Sequence, residues 1–195
     1  MTRIIAGTAG GRRIGAPEGR GTRPTSDRAR EALFSSVQSD LGPLAGLRVL
    51  DLYAGSGAIG LEALSRGAGH ALLVEADRKA ARVVRANIAA LRLPGARLVA
   101  DRAERVVGRP NEGEPYDLVM ADPPYAVTEE ELAGVLADLV AHDWVDEDAV
   151  VVVERSKRVP EPSWPEGLVR DRKRGYGEAV LWYARAARLS AREQR

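Results

Sequence analysis

Through the middle of the chain the apolar positions fall into short unbroken runs. Arg48–Leu52, Ala71–Val74, Arg97–Ala100, Asp117–Ala121 and Val150–Val153 show little polar alternation, as strands covered on both faces do. Between the runs the period lengthens to that of a helix. Ile59, Leu61 and Leu64 mark one helix, Val84, Ile88 and Leu91 a second over Arg78 to about Leu91, and Leu132, Val135, Leu136 and Leu139 a third. Breakers separate them: Gly67 as a C-cap, Pro94-Gly95, a Gly/Pro/Glu loop over residues 109–116, and a Thr128/Glu131 capping box. Strand alternating with helix predicts an α/β fold with a mostly parallel sheet and helices on both faces.

The flanks read differently. Arg3–Ala6 and Arg12–Ile14 suggest two short strands around the glycine-rich turn of residues 7–11, a β-hairpin. Residues 15–25 hold Gly15, Pro17, Gly19 and Gly21 and read as a loop that orders on binding. A helix then starts near Ser26 or Asp27, with Ala29, Leu33, Val37 and Leu41 as its apolar face and Arg28 and Arg30 on another. At the far end, Leu168–Arg174 and Glu178–Ala184 predict two strands joined at Gly175-Tyr176-Gly177. One domain is expected: residues 1–25 as its basic hairpin and loop, residues 26–185 as its body, and residues 186–195 as a tail.

Composition narrows the chemistry. Of 195 residues, none is cysteine, which excludes disulfides, thiolate metal sites, iron–sulfur clusters and a cysteine nucleophile. No run approaches the roughly 18 apolar residues of a membrane span. A cytoplasmic protein without membrane or metal is expected. The net charge is only +1, yet residues 3–30 carry seven arginines against Glu18 and Asp27, and residues 155–174 carry seven Lys or Arg against three acids. An acidic body with basic flanks suits a polyanion approached from one rim. Arg12, Arg13, Arg20, Arg23 and Arg28 are the candidate contacts to it. A solvated, Arg-biased surface is the plainer account of the same charges.

The first chemical motif is R-V-L-D-L-Y-A-G-S-G-A-I-G, Arg48 to Gly60. A buried strand ends there in a turn whose Gly55, Gly57 and Gly60 let a ligand approach the backbone ahead of a helix. The spacing Gly55-x-Gly57-x-x-Gly60 also fits a dinucleotide fingerprint, and charge separates the two readings. A pyrophosphate would meet the Asp51 carboxylate unfavourably. The ammonium and sulfonium of S-adenosyl-L-methionine would be attracted by it. Glu75, 18 residues after Gly57 and at the next strand end, stands where ribose hydroxyls are received in either case. Asp101 and Arg102 follow the third strand, where an adenine would be met, although Asp101 also suits a helix N-cap. Tyr53 either lines this pocket or only packs.

The second motif, Asp122-Pro123-Pro124-Tyr125, is the more specific. It ends the fourth strand and fixes two consecutive φ angles at the sheet edge that holds the glycine turn. An exocyclic amino group is a weak nucleophile, because its lone pair is delocalised into the base. Asp122 and the Pro123 carbonyl can accept its N–H bonds and aim that lone pair, while Tyr125 stacks on a base flipped or already unpaired. Taken alone, the same residues make a rigid turn.

Both motifs together resemble the amino-methylating branch of class I S-adenosylmethionine methyltransferases. Three further stretches, R-I-I-A-G-T-A-G-G-R-R-I from Arg3, R-P-T-S-D-R-A-R-E-A-L-F from Arg23 and the G-Y-G-E of the tail, resemble the bacterial RsmD family over residues 3–184. The resemblance implies methylation of N2 of one guanine in 16S ribosomal RNA, with S-adenosyl-L-methionine as donor. It implies a monomer acting on a small-subunit assembly particle, and a Rossmann-like seven-stranded sheet of order 3-2-1-4-5-7-6 with the last strand antiparallel. The implied catalytic residues are Asp122, Pro123 and Tyr125. Donor contacts fall to Asp51, Tyr53, Gly55, Gly57, Glu75, Asp101 and Arg102. Two other activities stay open at this point: methylation of DNA adenine or a protein amide on the same fold, and a catalytically idle RNA-binding scaffold.

Overall fold

The computed structural model describes residues 2–17 and 26–187. The five apolar runs are strands, and they lie side by side: β3 (Arg48–Leu52), β4 (His70–Val74), β5 (Ala96–Val99), β6 (Tyr116–Ala121) and β7 (Val145–Ser156). With β8 (Leu168–Tyr176) and β9 (Ala179–Ala186) they form a sheet of order β5-β4-β3-β6-β7-β9-β8. Strands β3 to β7 pair in parallel, while β9 is antiparallel to both of its neighbours. Numbering these seven strands from β3 gives the order implied by the family resemblance. Ahead of them, β1 (Thr2–Arg3) and β2 (Arg13–Ile14) make the antiparallel hairpin, shorter than the sequence suggested.

The continuous apolar runs exist because each face of the sheet has its own helices. Val49, Ala71, Leu73, Leu118, Met120, Val150 and Val152 point to the core beneath α1 (Asp27–Leu41), α2 (Ala58–Ser65) and α3 (Arg78–Leu91). Their chain neighbours Leu50, Leu72, Val74, Val119, Val151 and Val153 point to the core under α4 (Ala103–Val107) and α5 (Glu129–Ala141). By this alternation Asp51 falls on the α2 face, whereas Tyr53, beyond the strand end with a φ of 61°, leaves the alternation and packs against the α4/α5 core. Strand β7 begins five residues before its apolar run. Asp146, Glu147 and Asp148 disguise that extension in the sequence, and the irregular register between Tyr116 and Leu118 accommodates it.

The N-terminal segment is built into the body by buried polar groups. The Glu62 carboxylate, fully buried on α2, accepts the Ile5 and Ala6 N–H groups at 2.7 and 3.0 Å and the Arg66 Nε–H at 2.8 Å. The Ser65 hydroxyl accepts from the Ala9 N–H at 2.9 Å and donates to the Ala6 carbonyl. A Cβ at Gly7 would lie 1.8 Å from the Ser65 carbonyl oxygen, so only glycine allows this approach. Arg30, expected on an outer face of α1, is buried instead. It donates to Thr2, the Arg3 carbonyl and Asp27, tying the first strand to the helix. No described helix is long and apolar enough to cross a membrane.

Candidate active site

The glycine turn after β3 is held open by two carboxylates. Asp51, 3% exposed, accepts the Gly60 N–H at 3.0 Å and anchors the start of α2. Burial pushes its pKa up to about 7; the Gly60 hydrogen bond opposes the rise and the Glu75 charge adds to it. Glu75, buried at the end of β4, accepts the Gly55 N–H and the Asp77 N–H, each at 2.8 Å. Both acids therefore shape the turn from below. Asn87 of α3 adds a third tie. Its amide donates to the Ser56 carbonyl at 2.9 Å and exchanges two hydrogen bonds with the Gly15 backbone, joining the turn to the N-terminal segment.

The glycines of the turn face different ways. A Cβ on Gly57 would sit 2.9 Å from Leu73 Cδ2 and 3.3 Å from Val84 Cγ1, inside the core. A Cβ on Gly55 would meet nothing closer than the Tyr53 carbonyl oxygen at 4.0 Å. The backbone at Gly55 is thus the one open to a ligand, and Gly57 serves packing under a φ of 79°.

Beside the turn lies a cavity of about 230 Å³ lined by Tyr53, Glu75, Asp101, Arg102, Pro124 and Glu131, among others. Four sequence-predicted donor residues thus meet in one wall. Asp51, Gly55 and Gly57 lie outside that lining. Asp101 does not cap α4 in the usual way: it accepts the N–H of the next residue, Arg102, at 2.8 Å, and Arg102 pairs with Glu104 at 3.3 Å. Tyr53 holds a positive φ of 61°, and its buried hydroxyl has no hydrogen-bond partner among the described residues. Burial, with Glu104 and Glu131 nearby, pushes this phenol up to about 12, so it stays protonated and able to donate. An orphaned donor in the wall and an open glycine backbone fit a ligand rich in hydroxyl and carboxylate oxygens, as S-adenosyl-L-methionine is.

Asp122 leaves β6 at the same edge. The Ala121 backbone pairs with Leu52, which places Asp122 one residue beyond the pair and alongside Tyr53. Asp122 is exposed, Pro123 buried, and Tyr125 is 80% exposed, an aromatic face presented to solvent. The loop is closed behind them by the Val127 N–H on the Pro124 carbonyl at 2.9 Å and by the Thr128–Glu131 capping box.

The candidate polyanion contacts separate. The Arg12 guanidinium donates to the Leu91 and Ala90 carbonyls, capping the end of α3, the first at 3.0 Å. Arg13 on β2 and Arg28 on α1 are exposed or partly so. Arg20 and Arg23 lie outside the described residues. Among the described residues, no three His, Asp or Glu side chains gather as a metal site would require.

Sequence reasoning missed Arg155. Ala121 of β6 pairs with Val153 of β7, so Arg155, two residues further, emerges on the Val153 face at the height of Pro123. Its side chain is 8% exposed and forms an ion pair with Glu129 of α5. Burial lowers its pKa, while Tyr53 and Asp122 beside it pull it back up. The signal was present: V-V-V-V-E-R puts a cation at the carboxyl end of a buried parallel strand, the edge where ligands bind in such sheets.

The model of the family described as Conserved hypothetical protein 95 matches residues 2–185. The chain belongs to that family. It is the family its motifs resemble, and the fold is that of class I methyltransferases. Among relatives, Ribosomal RNA small subunit methyltransferase D of Escherichia coli K12 is 36% identical over 188 residues, covering 95% of this chain and 90% of the relative. The solved structure of the Escherichia coli protein yhhF superimposes with a TM-score of 0.82 at 31% identity, over 95% of this chain and 97% of that one. A hypothetical protein of Thermus thermophilus gives a TM-score of 0.75 at 34% identity, over 94% and 98%.

Proposed function

We propose that this protein is an S-adenosyl-L-methionine-dependent methyltransferase that modifies the exocyclic N2 of a guanine in 16S ribosomal RNA, acting as a cytoplasmic monomer on a small-subunit assembly particle. The observation that carries the reading is the placement of Asp122-Pro123-Pro124-Tyr125 one strand from the glycine turn, so that acceptors for an amino group and a donor cavity share one sheet edge. Bound there, S-adenosyl-L-methionine supplies an electrophilic methyl carbon on a sulfonium. Glu75 receives ribose hydroxyls, Tyr53 donates its unpaired O–H, and Asp101 and Arg102 border the adenine end. Asp51 contributes negative potential beneath the turn.

On the acceptor side, Asp122 and the Pro123 carbonyl each take an N–H of the amino group, turning its lone pair out of the ring plane toward the methyl donor. As the new N–C bond forms and the methyl carbon's bond to sulfur breaks, leaving a neutral thioether, the positive charge passes to the nitrogen, and Asp122 stabilises it before the proton passes to it or to water. Tyr125 replaces the stacking lost when the base leaves its helix. Arg13, Arg20, Arg23 and Arg28 hold phosphates. Arg12 acts indirectly, by fixing the hairpin against α3.

Nucleoside analysis of ribosomal RNA from a deletion strain tests this. One N2-methylguanosine should disappear, return with the wild-type gene, and stay absent with Asp122→Ala. An unchanged nucleoside profile would overturn the reading.

A further inference from the structure

Arg155 is a buried cation that the chemistry above leaves unused. Its Glu129 partner takes one terminal nitrogen, and its Nε–H is buried with no acceptor among the described residues. A buried guanidinium with an unmet N–H is costly unless a ligand completes it. The strand register puts it beside the Asp122-Pro123 pair, and the mutual electrostatic influence of Arg155, Tyr53 and Asp122 agrees with that placement.

The pairing edges of the three amino-bearing bases differ in order. Reading from the amino group, guanine presents donor, donor, acceptor: N2–H, N1–H, O6. Adenine follows its amino group with the N1 acceptor, and cytosine with the acceptors N3 and O2. Asp122 and the Pro123 carbonyl are taken by the two N–H bonds of the amino group, so the motif reads that group and not the ring positions beyond it. Two positions from its amino group guanine carries the O6 acceptor, which needs a donor from the protein, where adenine carries only a C–H.

We propose that Arg155, held in place by Glu129, is a specificity-determining residue that donates a hydrogen bond to O6 of the guanine whose amino group Asp122 receives. This rests on the proposed guanine-N2 activity and deepens it, since the Asp-Pro-Pro-Tyr motif by itself admits adenine and cytosine. Guanidinium suits the task because one nitrogen can stay on Glu129 while another faces the base; a lysine's three N–H groups all leave one atom, whose place the carboxylate fixes.

The test pairs a protein change with a one-atom change in the RNA. Once the methylated guanosine is mapped, 6-thioguanosine is placed at that position in small-subunit RNA; it keeps N1–H and the 2-amino group and substitutes a poorly accepting sulfur for O6. In single turnover the wild type should prefer the guanosine RNA by about tenfold, the scale of one hydrogen bond to a charged donor. Arg155→Lys and Arg155→Met should be slower on guanosine by a similar factor and treat the two RNAs alike within about twofold. Calorimetric donor affinity should stay within about twofold of wild type. Arg155→Lys keeps the Glu129 pair and serves if the Met variant does not fold. A Lys variant that retains the tenfold preference overturns the proposal, as does a wild type that methylates both RNAs equally or a loss confined to donor affinity. A wild type that leaves ribosomal RNA unmethylated sinks instead the activity on which the proposal rests.

Discussion

Within the single glycine turn, direction decides role. Gly55 and Gly57 both carry positive φ, yet only Gly57 faces the core. Gly57→Ala should therefore cost stability, roughly 2 kcal/mol or more from left-handed strain and the Leu73 contact together, with donor affinity falling only as far as the fold does. Gly55→Ala should lose about 1–2 kcal/mol of stability and a disproportionate share of donor affinity; thermal melts beside calorimetry separate the two. Asp51 sets a pH dependence. Its folded pKa of about 7 lies above the unfolded value of 3.8, so its contribution is complete below about pH 4 and is lost as pH rises through 7. Asp51→Asn, which still offers Gly60 an acceptor, should gain stability over wild type at pH 8, and that advantage should vanish near pH 4. A pH-independent difference in denaturation midpoints would contradict the assignment. At Asp122, positioning is distinguished from proton abstraction by comparing amide with truncation. Asp122→Asn should keep part of the activity, and Asp122→Ala should lose roughly 10² or more in single-turnover rate while binding donor normally.

Helix α2 does two jobs through its two ends. Its first turn is tied to Asp51 and the donor loop, and its last turn carries the N-terminal segment on Glu62 and Ser65. Glu62→Ala strands two backbone N–H groups and the Arg66 guanidinium, so it should destabilise the protein by about 3–5 kcal/mol and expose residues 4–9 to proteolysis. Glu62→Gln, which keeps acceptor oxygen, should lose less. The resemblance to a family pattern in Arg3–Ile14 thus has a physical meaning at the element scale: Arg3, Gly7 and Arg12 dock this stretch against the body. Arg12 shows it most directly, since its guanidinium closes α3.

Along the whole sequence, the basic residues 3–30 precede an acidic stretch over residues 31–154. Arg13, Arg20, Arg23 and Arg28 should each lower the log–log salt slope of RNA binding by about 0.7 to 0.9 when replaced by alanine. Arg12→Ala should leave that slope unchanged and lower the melting temperature instead. Equal slopes for all five variants would show that the charges are ordinary solvated surface.

The strands β3 to β6, the helix limits at Asp27 and Arg78–Leu91, the Thr128 capping box and both chemical motifs were legible in the chain, because buried parallel strands are unbroken apolar runs and turn chemistry is local. Tertiary structure decided what local pattern cannot encode. Whether Asp51 faces the ligand or the foot of α2 depends on which side of the sheet each residue of β3 takes. Whether Arg12 and Arg30 meet RNA or the protein's own carbonyls depends on packing between segments 27 to 79 residues apart. Arg155 and Asn87 enter the site only through strand register and helix packing, since burial and the partner across the sheet, and not residue type, turn a charged or amide side chain into part of a site.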